Sequence, residues 1–365
     1  MDAVPTTTAT AAPGLSPLLG IHGAVPGEGP DAPVAWHYGD PTREQRQLVS
    51  GAAVTDLSHR GVVRVTGPDR LSWLHSLTSQ HLTGLAPGAS TESLVLSPHG
   101  HVEHALHLVD DGTSAWMTVE PGTAPALVEW LDRMRFTLRV EVSDQTPAWA
   151  VVGVSVQAGA EPGGALDRAL VAADGAPPAW QDPWPTTAPG STAYGEAEDD
   201  GHPGVERPWR EVFVPRAELT DRFGHGGVPL AGSWAAEALR VSAWRPRLGF
   251  ETDHRTIPHE VDWLRTAVHL TKGCYRGQET VARVHNLGRP PRRLVLLHLD
   301  GSEHALPSHG DPVLAGERPV GRVTTPARHH ELGPVALALI KRSVPVDAAL
   351  TVAGLAAAQE VVVRP

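Results

Sequence analysis

The chain is poor in the residues that most often announce a function. It has one cysteine, Cys274, so it forms no internal disulfide and builds no multi-cysteine zinc or iron–sulfur site by itself. It has two lysines, Lys272 and Lys341, against a large excess of arginine, a pattern that fits a GC-rich coding bias. Basic charge is not in excess: the net charge is −11 and the pI about 6.0, which argues against DNA or tRNA as a partner. No apolar run approaches the roughly 18–20 residues that cross a bilayer. Met1–Ala12 lacks the basic and apolar regions of a signal peptide, so the expected location is cytoplasmic, away from the membrane. G-x-x-x-x-G-K, G-x-G-x-x-G, G-x-S-x-G and H-E-x-x-H are all missing, so P-loop, Rossmann, serine-hydrolase and zincin chemistry is unsupported.

What remains is a chain of 365 residues, long enough for two or three domains at roughly 100–200 residues each. Residues 1–33 are rich in Thr, Ala, Pro and Gly without periodicity and read as a disordered arm. Gly61–Thr66 alternates like a strand, and Leu71, Leu74 and Leu77 recur at helical spacing after Pro68 and Asp69. Leu127, Trp130, Leu131 and Met134 form a second helical stripe, with Thr123 as its expected cap. Short strands and helices mixed in this way predict an α+β fold over 34–290. Residues 158–208, diluted by Gly, Pro and acids, read as a surface insertion. From 291 to 365 short β runs separated by turns predict a small barrel or sandwich.

Twenty histidines raise the question of a metal. The densest group is His99, His101, His104 and His107. On a strand, His101 and His107 share a face with Glu103 while His104 points away, so a solvated histidine-rich strand is the expectation and no metal site is assigned. His329–His330 reads as exposed loop. One segment stands apart: K-G-C-Y-R-G-Q-E-T at 272–280. Gly273 and Gly277 allow a tight path around the thiol, and a helix from about Gln278 to Gly288 places Cys274 just ahead of a helix N-terminus. Lys272, Arg276 and the helix dipole would favour a thiolate. The alternative is a small inert thiol in a glycine turn.

The K-G-C-Y-R-G-Q-E signature resembles that of the YgfZ family of folate-binding proteins, relatives of the glycine cleavage T-protein (aminomethyltransferase). Asp56–Gln80, Arg240–Glu251 with P-H-E at 258–260, Gly321–Thr325 and Leu332–Lys341 resemble other family stretches. The resemblance implies a T-protein-like ring of three subdomains around a central folate cavity, with a C-terminal β-barrel. It implies tetrahydrofolate as cofactor, and assembly or repair of iron–sulfur clusters on client or assembly proteins as the role. Cys274 is carried over as the functional thiol facing the cavity. Lys272, Gly273, Tyr275, Gly277, Gln278, Glu279 and, more loosely, Arg240 are carried over as folate-site residues.

Departures from the T-protein pattern separate the two branches. Where T-proteins have a G-G-I-x-D-D-type segment, this chain reads H-G-H-V-E-H at 99–104, without an aspartate. The T-protein G-E pair ahead of the strand at Glu211–Pro215 has no clear counterpart, though Glu206 and Arg207 lie nearby. An aminomethyl transferase needs a positioned carboxylate near the reacting amine, so an accessory factor with little or no catalysis is the first reading. A tetrahydrofolate-dependent aminomethyl or one-carbon transferase is the alternative, and a protein-docking scaffold the third.

Overall fold

The structure is a computed structural model that describes residues 14–156, 165–195, 201–302 and 305–365. Three β units carry it. The first is a five-stranded antiparallel sheet in the order Ser90–Leu96, Val102–Asp110, Ser114–Val119, Gly61–Thr66, Glu141–Asp144. Helices Arg70–Leu77 and Ala124–Met134 pack on it through Trp73, Leu74, Leu127 and Leu131. Gly61 is required there, because a Cβ would lie 2.6 Å from that of Ala124. The helical spacing is as the sequence predicts, but the capping differs. Thr123 makes no cap bond and turns its hydroxyl to the Glu120 carbonyl, while Asp69 pairs with Arg139.

The second sheet runs Trp180–Gln181, Trp209–Pro215, Trp149–Ser155, Val54–Asp56, Leu230–Ala231, with only the last pair parallel. It is backed by helices Pro41–Val49 and Ser233–Ser242, which meet the sheet through Leu48, Ala235, Ala236 and Leu239. The third unit is a closed six-stranded barrel from Arg292–Leu299 to Leu355–Val361. Its outer contacts are continuous with the body: Leu294, Leu337 and Val362 share one buried cluster with Leu94, Val241 and Trp263. The fold is thus mixed α+β ending in a six-stranded barrel, as expected. Among the described residues no helix is long and apolar enough to cross a membrane.

Three expectations are corrected. The arm is docked on the body from Ser16 onward. Leu18 is buried, Val25–Pro26 pairs with Ala35–His37, and Asp31 is buried against Arg247 and His59. A few anchoring side chains suffice where composition shows no periodic face; residues 1–13 lie outside the described residues. The 158–208 stretch is likewise no mere surface insertion, since Trp180 and Trp184 are core residues and Trp180–Gln181 adds a strand to the second sheet. Residues 157–164 and 196–200 of that stretch lie outside the described residues. His329 ends a barrel strand and is buried, with His330 tucked beside it at 4.5 Å between ring centres.

Candidate functional site

A polar cavity opens where the first sheet, the second sheet and the loop after helix Ser233–Ser242 meet. None of its lining residues comes from the barrel. Glu211 is the central carboxylate. It occupies strand Trp209–Pro215 among Val212, Phe213 and Val214, and is fully buried. Arg60 Nη1 donates to it at 2.9 Å, His107 Nδ1 lies 3.0 Å away, and the Thr118 hydroxyl donates to its second oxygen. Burial alone would raise its pKa. The charges of His107 and Arg60 and the bonds from His107 and Thr118 outweigh that and hold the carboxyl well below its ordinary range. His107 is itself fixed by stacking on Trp180, with ring centres 3.9 Å apart and planes 5° from parallel.

The opposite wall is arginine. The run Arg240, Arg245, Arg247 falls at the end of a helix and in the loop after it, where Trp244 takes a left-handed backbone (φ 56°). Arg245 bonds Glu92 and Asp182, and Arg247 bonds Asp31 at 2.7 and 2.9 Å and Glu120 at 2.9 Å. Arg240, carried over from the resemblance, lines the cavity. Its guanidinium is engaged by Glu237 and Glu251, each at 2.8 Å, and by Thr325 of the barrel. Arg207 lies over the Trp209 ring at 4.3 Å and reaches Asp182 at 3.3 Å. Burial pushes its pKa down to about 10.

The cysteine signature forms a separate place. Gly273 and Gly277 both have left-handed φ (101° and 84°), and helix Gln278–Leu287 follows. Gly277 is a contact glycine: a Cβ there would lie 2.5 Å from the Ser97 carbonyl oxygen and 3.0 Å from Gly100 Cα. The signature therefore docks on the hairpin that carries His99–His104, the very stretch where this chain departs from the T-protein pattern. Around it, Arg276 pairs with Glu103 at 3.1 Å, and the Gln278 side chain accepts from the Tyr275 N–H at 3.1 Å. Lys272 donates to the His75 carbonyl and lies 4.9 Å over the Tyr275 ring; burial lowers its pKa to about 8. Burial raises the Tyr275 phenol. Glu279 lies in the first helical turn, where the dipole favours it.

Cys274 is exposed, and no residue from 272 to 279 lines the central cavity. The expectation that the thiol faces the cavity is therefore corrected, because the glycine loop closes on the 97–100 hairpin instead. The two flanking cations are turned to Glu103 and to the His75 carbonyl. Of the residues selected from sequence, Arg240 alone reaches the cavity. Glu211, Arg60, His107, Asp182, Arg207, Arg245 and Arg247 were missed as site residues. One sequence signal for Glu211 existed: a lone acid followed by three apolar residues on a strand.

The chain carries the two domains of the glycine cleavage T-protein-like family and belongs to it. Residues 21–157 match the GCVT N-terminal domain, and residues 292–364 match the glycine cleavage T-protein C-terminal barrel domain. Among curated relatives, a chloroplastic protein of Arabidopsis thaliana, described as a transferase, is 27% identical over 76% of this chain. This chain spans 62% of that protein's length. An aminomethyltransferase of Streptomyces coelicolor is 27% identical over 83% of this chain and 82% of its own. The solved aminomethyltransferase T of the Bartonella henselae glycine cleavage system superposes with a TM-score of 0.71, covering 94% of this chain and 93% of its own, at 19% identity, and so shares the fold.

Proposed function

We propose that this chain binds a reduced folate in the central cavity and acts as an accessory factor for iron–sulfur proteins, with Cys274 as the thiol offered to the client. The observation that carries the folate half of the reading is Glu211, an ionised carboxylate buried in the cavity wall opposite a bank of guanidinium groups. The donor set fits a folate. Glu211 matches the N–H edge of a pterin, the Trp209 ring offers a flat face, and the arginines suit a glutamate tail. Space is tighter: free volume in the cavity is about 30 Å³, enough for a water or two. A pterin enters when side chains give way, and Arg207, whose Nε has no hydrogen-bond partner among the described residues, is the least held of those arginines. When bound, folate supplies a one-carbon carrier; Glu211 orients it, and Arg60 and His107 keep Glu211 charged.

Two features favour the accessory role over transfer. The hairpin at 99–104 offers no aspartate, and its one acid, Glu103, is tied to Arg276 outside the cavity. The thiol is exposed, where a protein client reaches it. The transferase reading draws on the names of the relatives and on Glu211 itself. Calorimetric titration of the full chain with tetrahydrofolate under argon tests the first half: binding is expected, with at least a tenfold loss in Glu211→Gln. No binding by the wild type would leave the scaffold reading. An assay with aminomethylated lipoyl carrier protein tests the second half, and turnover of about 1 s⁻¹ or more would make the protein a transferase. Cys274→Ala in a complemented deletion strain should lower iron–sulfur enzyme activities at unchanged protein level.

A further inference from the structure

A second cavity, of about 260 Å³, lies between helix Ser233–Ser242, the turn Pro203–Glu206 and the barrel strands Arg292–Leu299 and Leu355–Val361. Val49, Leu239, Ala243, Trp244, Leu296 and Leu332 give it largely apolar walls. A 150 Å³ apolar cavity accepts benzene, so this one has room for a ring with a short substituent.

The charge on its lining is negative. Arg207 borders both cavities, but its guanidinium is spent on the central side, where it lies over Trp209 at 4.3 Å and reaches Asp182 at 3.3 Å. Three carboxylates remain: Glu206, Glu331 and Glu360. The barrel's pleat aims Glu360. It is the register partner of Leu296, which turns outward to the core shared with the body, while Val295 and Leu297 fill the barrel. Residues directly opposite one another share a face, so the Glu360 side chain leaves the barrel on the cavity side, beside Leu296. His298, two residues along the same strand, leaves by that face too, and its Nε2 meets the half-exposed Glu360 carboxylate at 2.9 Å.

The other polar groups leave this charge uncancelled. His329 Nδ1 accepts from the Glu331 and Leu332 N–H groups, each at 3.2 Å, and burial lowers its pKa to about 4, so the ring is neutral. Glu331 has the His330 ring at 3.8 Å, and Glu206 has no cationic partner among the described residues. Such a lining repels carboxylates and phosphates. It attracts a cation whose apolar body can leave water in the cavity.

We propose that this side cavity is a second ligand site, for a small primary amine with an aromatic or branched apolar body, whose ammonium group pairs with Glu360 while the body lies against Leu296 and Leu332. The proposal is independent of folate binding. Benzylamine is the probe, titrated into the full chain at pH 8 and low salt and followed by ligand-observed NMR. Benzoate is the control for charge and methylamine the control for the apolar body. Leu332→Trp plugs the cavity from a half-exposed position, and Glu360→Gln removes the charge from another; neither residue lines the central cavity. Benzylamine should bind in the millimolar range or tighter. It should weaken at least tenfold in Leu332→Trp and about threefold in Glu360→Gln, each at a retained melting temperature, since a half-exposed ion pair contributes up to about 1 kcal/mol. Failure of benzylamine to bind the wild type at about 10 mM would overturn the proposal. So would undiminished binding to both variants, which would place the amine elsewhere. Benzoate binding as tightly would remove the assigned charge, and methylamine binding as tightly would remove the apolar pocket; either result also sinks the proposal.

Discussion

At the scale of single residues, Glu211 is the test of how much the site contributes to the fold. It accepts from Arg60 and Thr118 and sits against His107 while fully buried. Removing one partner of a buried pair typically costs about 3–5 kcal/mol. Arg60 keeps Glu120 at 3.5 Å, so Glu211→Gln should cost somewhat less, about 2–3 kcal/mol in urea denaturation. Cys274→Ala should change stability by about 1 kcal/mol or less, since the thiol is exposed. A large loss there would mean that the cysteine is structural. The contrast also shows which residues were legible beforehand. The cysteine loop is a contiguous string whose glycines and charges stand side by side. Glu211 finds His107 at a separation of 104 residues and Arg60 at 151, and no local pattern encodes such a meeting.

At the scale of elements, two segments behave differently from their composition. The N-terminal stretch looks dispensable as a string of Pro, Gly and Ala, yet Asp31 supplies Arg247 with two short bonds and Leu18 joins the core beneath the second sheet. Deleting residues 2–33 should therefore destabilise the protein by several kcal/mol, because Arg247 is left buried with fewer counter-charges. Differential scanning calorimetry reads this directly, and an unchanged melting temperature would show that the strap is not docked. The glycine loop invites a paired comparison. Gly273 and Gly277 have similar left-handed backbones, but a Cβ at Gly273 meets nothing within 4 Å, whereas one at Gly277 would meet the Ser97 carbonyl oxygen at 2.5 Å. Gly277→Ala should cost more than Gly273→Ala, by roughly 1–2 kcal/mol, through loss of the hairpin contact. Equal costs would mean that backbone strain alone matters and that the hairpin and the signature do not depend on close approach. The helix after the signature was legible from Gly288, the glycine that ends it. The hairpin against which it packs was legible only as a strand, because its partner lies far along the chain.

At the scale of the whole molecule, the units are joined by shared core and by buried charge, and this joint has a pH signature. Burial holds three histidines neutral, each with a pKa lowered to about 4: His104 in the first sheet, His259 in the turn before the cysteine loop and His329 in the barrel. In the unfolded chain each ring takes its proton near pH 6.5. Between about pH 6.5 and 4 the unfolded state therefore binds more protons than the folded one, and stability falls as the pH is lowered. At about pH 5 the loss should be on the order of 1–2 kcal/mol for each ring. The carboxylates act in the same direction but later. Asp31, Glu211 and Asp253 are held below their ordinary range by Arg247, His107 with Arg60, and Arg292 respectively, against the opposing effect of burial. Their stabilisation is complete above about pH 4.5 and is lost only as the pH drops through their lowered values. Urea denaturation at a series of pH values from about 7.5 to 3 should thus show two successive declines, the first already under way at pH 6. A flat profile between about pH 7.5 and 5 would mean that the three rings reach solvent in the folded state, and that barrel and body are less tightly joined than their common core implies.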